Sequence, residues 1–152
     1  MQRRFLLGAA VLIPAAGLLV HARRVLAAEH EVQMLSQGPQ GQRNWFEPPA
    51  VFAQPGDTIQ LVPTDKGHNS TSLVVPEGAP TWNGKLSQEV SVTLDVPGLY
   101  AYKCIPHFGL GMVGLIAVGD PSINLEAVKS ARYPGKARQV MADLLKQVEA
   151  HS

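Results

Sequence analysis

The sequence predicts an all-β fold: a Greek-key β-sandwich with two C-terminal α-helices packed on it. Between residues 31 and 118, short apolar–polar alternations recur with Pro and Gly turns between them, the pattern of many short strands. After Gly119 the alternation stops and helix formers take over. With an export leader set aside, 125 residues remain, enough for one domain with a real core and too few for two.

The leader comes first. Arg3 and Arg4 precede an apolar run from Phe5 to Val20. That run is interrupted by Pro14 and is shorter than the ~20 residues a membrane-spanning helix needs. A charged start, an apolar centre and the small-residue site Val25-Leu26-Ala27 make residues 1–27 a secretory signal, with Ala28 the first residue of the mature chain. The paired arginines followed by Leu6 and Leu7 resemble a twin-arginine signal, which exports proteins already folded. Arg23 and Arg24, behind the apolar run, suit that route better than ordinary secretion. The expectation is a periplasmic protein whose mature chain, 28–152, has no membrane span.

Within that chain, 28–119 reads as the sandwich. "EVQMLS" opens the strands, and "AVFAQPGDTIQLVP" gives two pieces around the turn Gln54-Pro55-Gly56-Asp57. Ile59, Leu61 and Pro63 alternate with Thr58, Gln60 and Val62, a half-buried pattern. Val90, Val92 and Leu94 repeat it before Pro97-Gly98 turns into Tyr100, Tyr102 and Cys104. "MVGLIAVGD" is the last β-rich run. In the tail, 120–152, Asp120 or Asn124 is placed to cap a short helix and Pro134-Gly135 breaks it. Val140, Met141, Leu144, Leu145 and Val148 then form one apolar stripe at helical spacing, so Met141 reads as core.

Charge and cysteine content narrow the function. The chain has 13 basic and 12 acidic residues. Four of the arginines belong to the leader, which leaves the mature chain 9 against 12, a net −3. That balance speaks against nucleic acid, which calls for a strongly basic surface. One cysteine excludes an intramolecular disulfide, and an unpaired thiol in an oxidising compartment is a liability unless something occupies it.

The occupant suggested by the surrounding residues is copper. Cys104, His107 and Met112 share one short loop, and a thiolate, an imidazole and a thioether are three of the four groups of a mononuclear site that alternates between Cu(I) and Cu(II). The second imidazole comes from His68 in "PTDKGHNST". Zinc rarely takes methionine and its structural sites want four strong ligands. Gly67 lets one ligand loop turn, and Gly109 and Gly111 let the other close. His21, His30 and His151 have no evident partner.

"PTDKGHN", "KCIPHFGLGMVGLIAVGDP" and "NLEAVKSA" resemble the pseudoazurin family, small periplasmic blue-copper proteins of the cupredoxin fold. The resemblance runs from about Ala28 through both helices, which plastocyanins lack. It implies one type 1 copper ion on His68, Cys104, His107 and Met112, with no substrate bond made or broken. It implies that Asn69 stiffens the ligand loops and that Pro106, with no N–H to offer Cys104, tunes the potential. Ile105, Pro106, Phe108 and Leu110 would form an apolar docking patch around His107, flanked by Lys66 and Lys103, with Lys85 nearby. Redox proteins would dock there transiently, copper nitrite reductase or c-type cytochromes among them, with the carrier a monomer. Gln33 stands where relatives often carry a histidine, and a mature charge of −3 weakens steering of acidic partners.

Two other classes fit the residues less well. A periplasmic copper carrier or store would use exposed Met or His clusters, and none is evident. A type-2 copper enzyme needs more clustered histidines than the four of the mature chain. A Cys-His hydrolase would leave Met112 unexplained.

Overall fold

The computed structural model describes residues 26–151; the leader proposed for 1–27, with His21, lies outside them except for Leu26 and Ala27. Eight strands form two four-stranded sheets. The first holds β2 (Arg43–Glu47), β1 (Glu29–Gln37), β4 (Asp57–Val62) and β6 (Val90–Leu94) in that order. In the second the order is β3 (Ala50–Ala53), β8 (Val113–Val118), β7 (Gly98–Lys103) and β5 (Thr71–Val74). The chain crosses between sheets after β2, β3, β4, β5 and β6, so β1 pairs with β4 and β3 with β8 in parallel, while the other pairs are antiparallel. The sheets are therefore mixed, and their parallel neighbours, which no hairpin can join, are connected by such crossovers.

Alternation decides which side chains face inward. Asp57, Ile59 and Leu61 of β4 are buried while the residues between them are half-buried. Val32, Met34, Phe46, Ile59, Leu61, Leu94, Tyr100, Tyr102 and Ile116 meet between the sheets. Strands β7 and β8 read as continuous apolar runs because their outer face is covered too. Leu99, Ala101, Val113, Leu115 and Ala117 pack there against α1 (Leu125–Ser130) and α2 (Ala137–His151). Of the helical stripe, Met141, Leu144, Leu145 and Val148 are buried and Val140 is half-buried.

Of the two candidate caps, Asp120 is the one whose side chain acts. Asp120 Oδ1 accepts from Ser122 N–H and caps a 3-10 turn, Pro121–Ile123. Asn124 precedes α1 without a side-chain cap, because its amide is bonded both ways to the backbone of Leu99.

Candidate metal centre

Two loops at one end of the sandwich meet. One leaves β4 and carries His68 and Asn69 before β5; the other joins β7 to β8 and carries Cys104, His107 and Met112. The second closes tightly. Cys104 N–H donates to Met112 O at 3.1 Å, His107 N–H to Cys104 O at 3.3 Å, and Met112 N–H to His107 O at 3.2 Å. Phe108–Leu110 make a 3-10 turn that ends on Gly111 in the left-handed conformation, φ 101°. A glycine suits that turn because a Cβ is strained there. Gly67 is left-handed too, φ 90°, whereas Gly109 is not.

The turns bring three donor atoms together. His68 Nδ1 and His107 Nδ1 lie 3.1 Å apart, and Cys104 Sγ is 3.9 Å from the first and 3.5 Å from the second. All three atoms fall within 4.8 Å of one another. Cys104 and Met112 are fully buried and His68 is 1% exposed, while His107 is half-buried. Burial, with the nearby His107, holds the His68 imidazole below the ordinary histidine range, which favours the neutral form a metal needs. Burial likewise pushes the Cys104 thiol up, against the opposing pull of the Asn69 and His107 backbone N–H groups. A thiolate in this setting calls for a cation beside it. Two imidazoles, one thiol and one buried thioether fit a type 1 copper ion in kind and in number.

Around these donors the scaffold is hydrogen-bonded. Asn69 Oδ1 accepts from Ile105 N–H at 2.8 Å and its Nδ2 donates to Gly84 O at 3.0 Å, so one amide spans both ligand loops. Ser87 N–H donates to His68 O at 2.7 Å and Ser87 Oγ accepts from Gly67 N–H at 2.9 Å, which sets the Lys85 segment beside His68. Ser36 Oγ lies 3.1 Å from His68 Nε2, a contact that sequence reasoning missed because 32 residues separate the pair.

The surface over the site is apolar. Ile105 and Leu110 are 54% and 56% exposed, and Pro106 is exposed as well. Phe108 is half-buried, its ring edge-on to Tyr133 and beneath Lys103 Nζ at 4.8 Å from the centroid. Lys103 Nζ thus lies over an aromatic face, while Lys66 and Lys85 are exposed. Arg43 and Lys136 flank a groove that Leu110 shares with Trp45 and Val140, a cationic rim that local sequence did not reveal.

Two histidines that the sequence left without partners have them. His30 Nε2 is 2.9 Å from Asp57 Oδ2, and the His151 ring stacks on Phe52 with centroids 3.9 Å apart. Neither belongs to the donor group described above, and among the described residues His68, Cys104 and His107 are the one His, Cys, Asp or Glu group placed to hold a metal.

A sandwich with such a donor set at one end defines a class, and the comparisons agree with it. The model for copper binding proteins of the plastocyanin/azurin family matches residues 32–119. The pseudoazurin of Paracoccus pantotrophus is 48% identical over 136 residues, covering 88% of this chain and 93% of that protein. That of Methylorubrum extorquens is 39% identical over 143 residues, covering 91% and 96%. The solved structure of a Sinorhizobium pseudoazurin superposes with a TM-score of 0.79 at 46% identity, covering 82% of this chain and 99% of that one. The chain belongs to the pseudoazurin family of cupredoxins, blue-copper electron carriers and not enzymes. Its cofactor is one type 1 copper ion, and it interacts with redox partners. No helix among the described residues is long and apolar enough to cross a membrane.

Proposed function

We propose that this chain is exported to the periplasm and carries single electrons there between transiently docked redox proteins, its copper held by His68, Cys104, His107 and Met112. The observation that carries the ligand assignment is the convergence of Cys104 Sγ with both Nδ1 atoms within 4.8 Å, with Met112 buried on the same loop. Copper supplies the one-electron couple when bound. The chain's own part is geometric. Ligand loops pinned by Asn69 and closed by Gly111 keep one arrangement for both oxidation states, so little reorganisation accompanies a transfer. Half-buried His107, ringed by Ile105, Pro106, Phe108 and Leu110, offers the shortest exit for the electron.

Ala28 N is 2.8 Å from Asp57 Oδ1, so cleavage after Ala27 would leave the new ammonium beside a carboxylate. This supports a domain of residues 28–152, a sandwich over 28–119 and a helical tail over 120–152. A partner such as copper nitrite reductase or a c-type cytochrome would meet the apolar patch, with Lys66, Lys85 and Lys103 at its edge. Small interfaces of this kind release quickly, which suits a monomeric shuttle.

The test is a visible and EPR spectrum of residues 28–152 loaded with Cu(II). The expected outcome is an intense thiolate-to-copper band that bleaches reversibly on reduction. Copper that leaves on reduction, or a tightly held colourless metal, would instead support the storage reading.

A further inference from the structure

We infer that Ser36 is a positioning residue for the copper site: its hydroxyl fixes the tautomer and ring orientation of His68 and thereby lowers the reduction potential. The inference rests on the ligand assignment proposed above. Nδ1 of His68 faces Nδ1 of His107 at 3.1 Å and Cys104 Sγ at 3.9 Å, so Nδ1 is the nitrogen turned toward the metal. Its lone pair must be free there, which places the ring proton on Nε2. That nitrogen lies 3.1 Å from Ser36 Oγ, so the imidazole donates and the hydroxyl accepts. An acceptor on the far nitrogen of a metal-bound imidazole holds the ring in place and makes the other nitrogen a stronger donor.

Ser36 is itself held. Its backbone N–H donates to Asp65 Oδ2 at 2.7 Å, and Asp65 N–H donates to Met34 O at 3.0 Å. These two bonds tie the end of β1 to the loop that delivers His68. His107 has no such anchor: its Nε2 has no hydrogen-bond partner among the described residues. The two imidazoles therefore differ, one fixed from behind by the sandwich and one facing the docking surface.

A stronger imidazole donor favours Cu(II) over Cu(I), so losing the Ser36 acceptor should raise the potential. Changes in partners of this kind typically cost about 10–100-fold in metal affinity. A tenfold loss confined to Cu(II) corresponds to a rise of about 59 mV for a one-electron couple. The test compares the reduction potential and Cu(II) EPR spectrum of wild type, Ser36→Ala and Ser36→Thr. Ser36→Ala keeps the backbone bond to Asp65, so it removes the hydroxyl alone. The expected result is a raised potential and altered copper hyperfine splitting in Ser36→Ala, both restored in Ser36→Thr, with the thermal stability of the metal-free proteins unchanged. An unaltered potential and spectrum in Ser36→Ala, or no rescue by Ser36→Thr, would overturn the inference. Failure of the wild-type protein to form a blue site would overturn the ligand assignment instead, which keeps the two outcomes apart.

Discussion

Asn69 ties the loop of His68 to the loop of Cys104 through one amide. It is nearly fully buried and its amide uses both ends, accepting from Ile105 N–H and donating to Gly84 O. Asn69→Ala leaves both backbone groups without that partner, at a cost of about 1–3 kcal/mol for each that stays buried. Because Ile105 follows Cys104, the thiolate should also lose its fixed direction. The expected outcome is a lower melting temperature with a shifted or broadened thiolate-to-copper band, read by calorimetry and visible absorption. Asn69→Asp keeps an acceptor for Ile105 N–H but no donor for Gly84 O, and should recover the band more fully than the stability. The donor set that fits a copper site was legible at this scale because three of its members sit within nine residues, in a pattern with chemical meaning. Ser36 was not, since a serine 32 residues from its histidine carries no local signal. His30 and His151 were obscure for the same reason, their partners Asp57 and Phe52 being supplied by the fold.

At the scale of elements, β7 and β8 flank the loop that carries Cys104, His107 and Met112. Tyr102 and Gly114 are direct cross-strand partners, and the tyrosine ring covers the glycine. A Cβ at Gly114 would stand 2.2 Å from Tyr102 Cζ. The ring is fully buried and packs edge-on against Phe46 at 4.7 Å, so it has no free direction in which to move. Gly114→Ala should therefore cost about 1–3 kcal/mol through overpacking, and it should perturb the copper spectrum because Cys104 follows Lys103 at the strand's end. Denaturant unfolding of the metal-free protein measures the first effect and EPR the second; equal stability in both proteins would show that the hairpin yields. The strands with strong alternation, β4 and β6, announced themselves, as did β7 through Tyr100, Tyr102 and Cys104 after the Pro97-Gly98 turn and β8 through its apolar run. β2 did not: "RNWFE" is five residues long, has the left-handed Asn44 (φ 55°) in its second position, and buries only Phe46. Its strand character comes from pairing with β1.

At the scale of the molecule, two cores share one sheet. The first fills the space between the sheets; the second joins the outer face of β7 and β8 to the helices, which is why all six residues of β8 are buried. The sequence indicated this layering because the tail's apolar stripe needs a surface to cover. How the start of the chain is fastened was not legible. Asp57, 4% exposed, accepts from the backbone N–H of Gln54 and of Ala28 and meets His30 Nε2, so one carboxylate joins the first strand to the turn before β4. Those backbone bonds, foremost that from Gln54, and then His30 hold its pKa down at about 2, against 3.8 unfolded. The folded value is depressed, so the stability it confers is fully present above about pH 4 and is lost as pH falls toward 2. A shift of that size is worth about 2 kcal/mol. Asp57→Asn should thus be less stable than wild type by roughly that amount at pH 7. The gap should narrow steadily below pH 4, since protonated Asp57 is no better an acceptor than the amide. Urea unfolding of both metal-free proteins across pH 2–7 measures it, and subtracting one curve from the other cancels the carboxylates they share. A gap that stays constant through the acid range would mean that Asp57 acts by packing, with its charge contributing nothing.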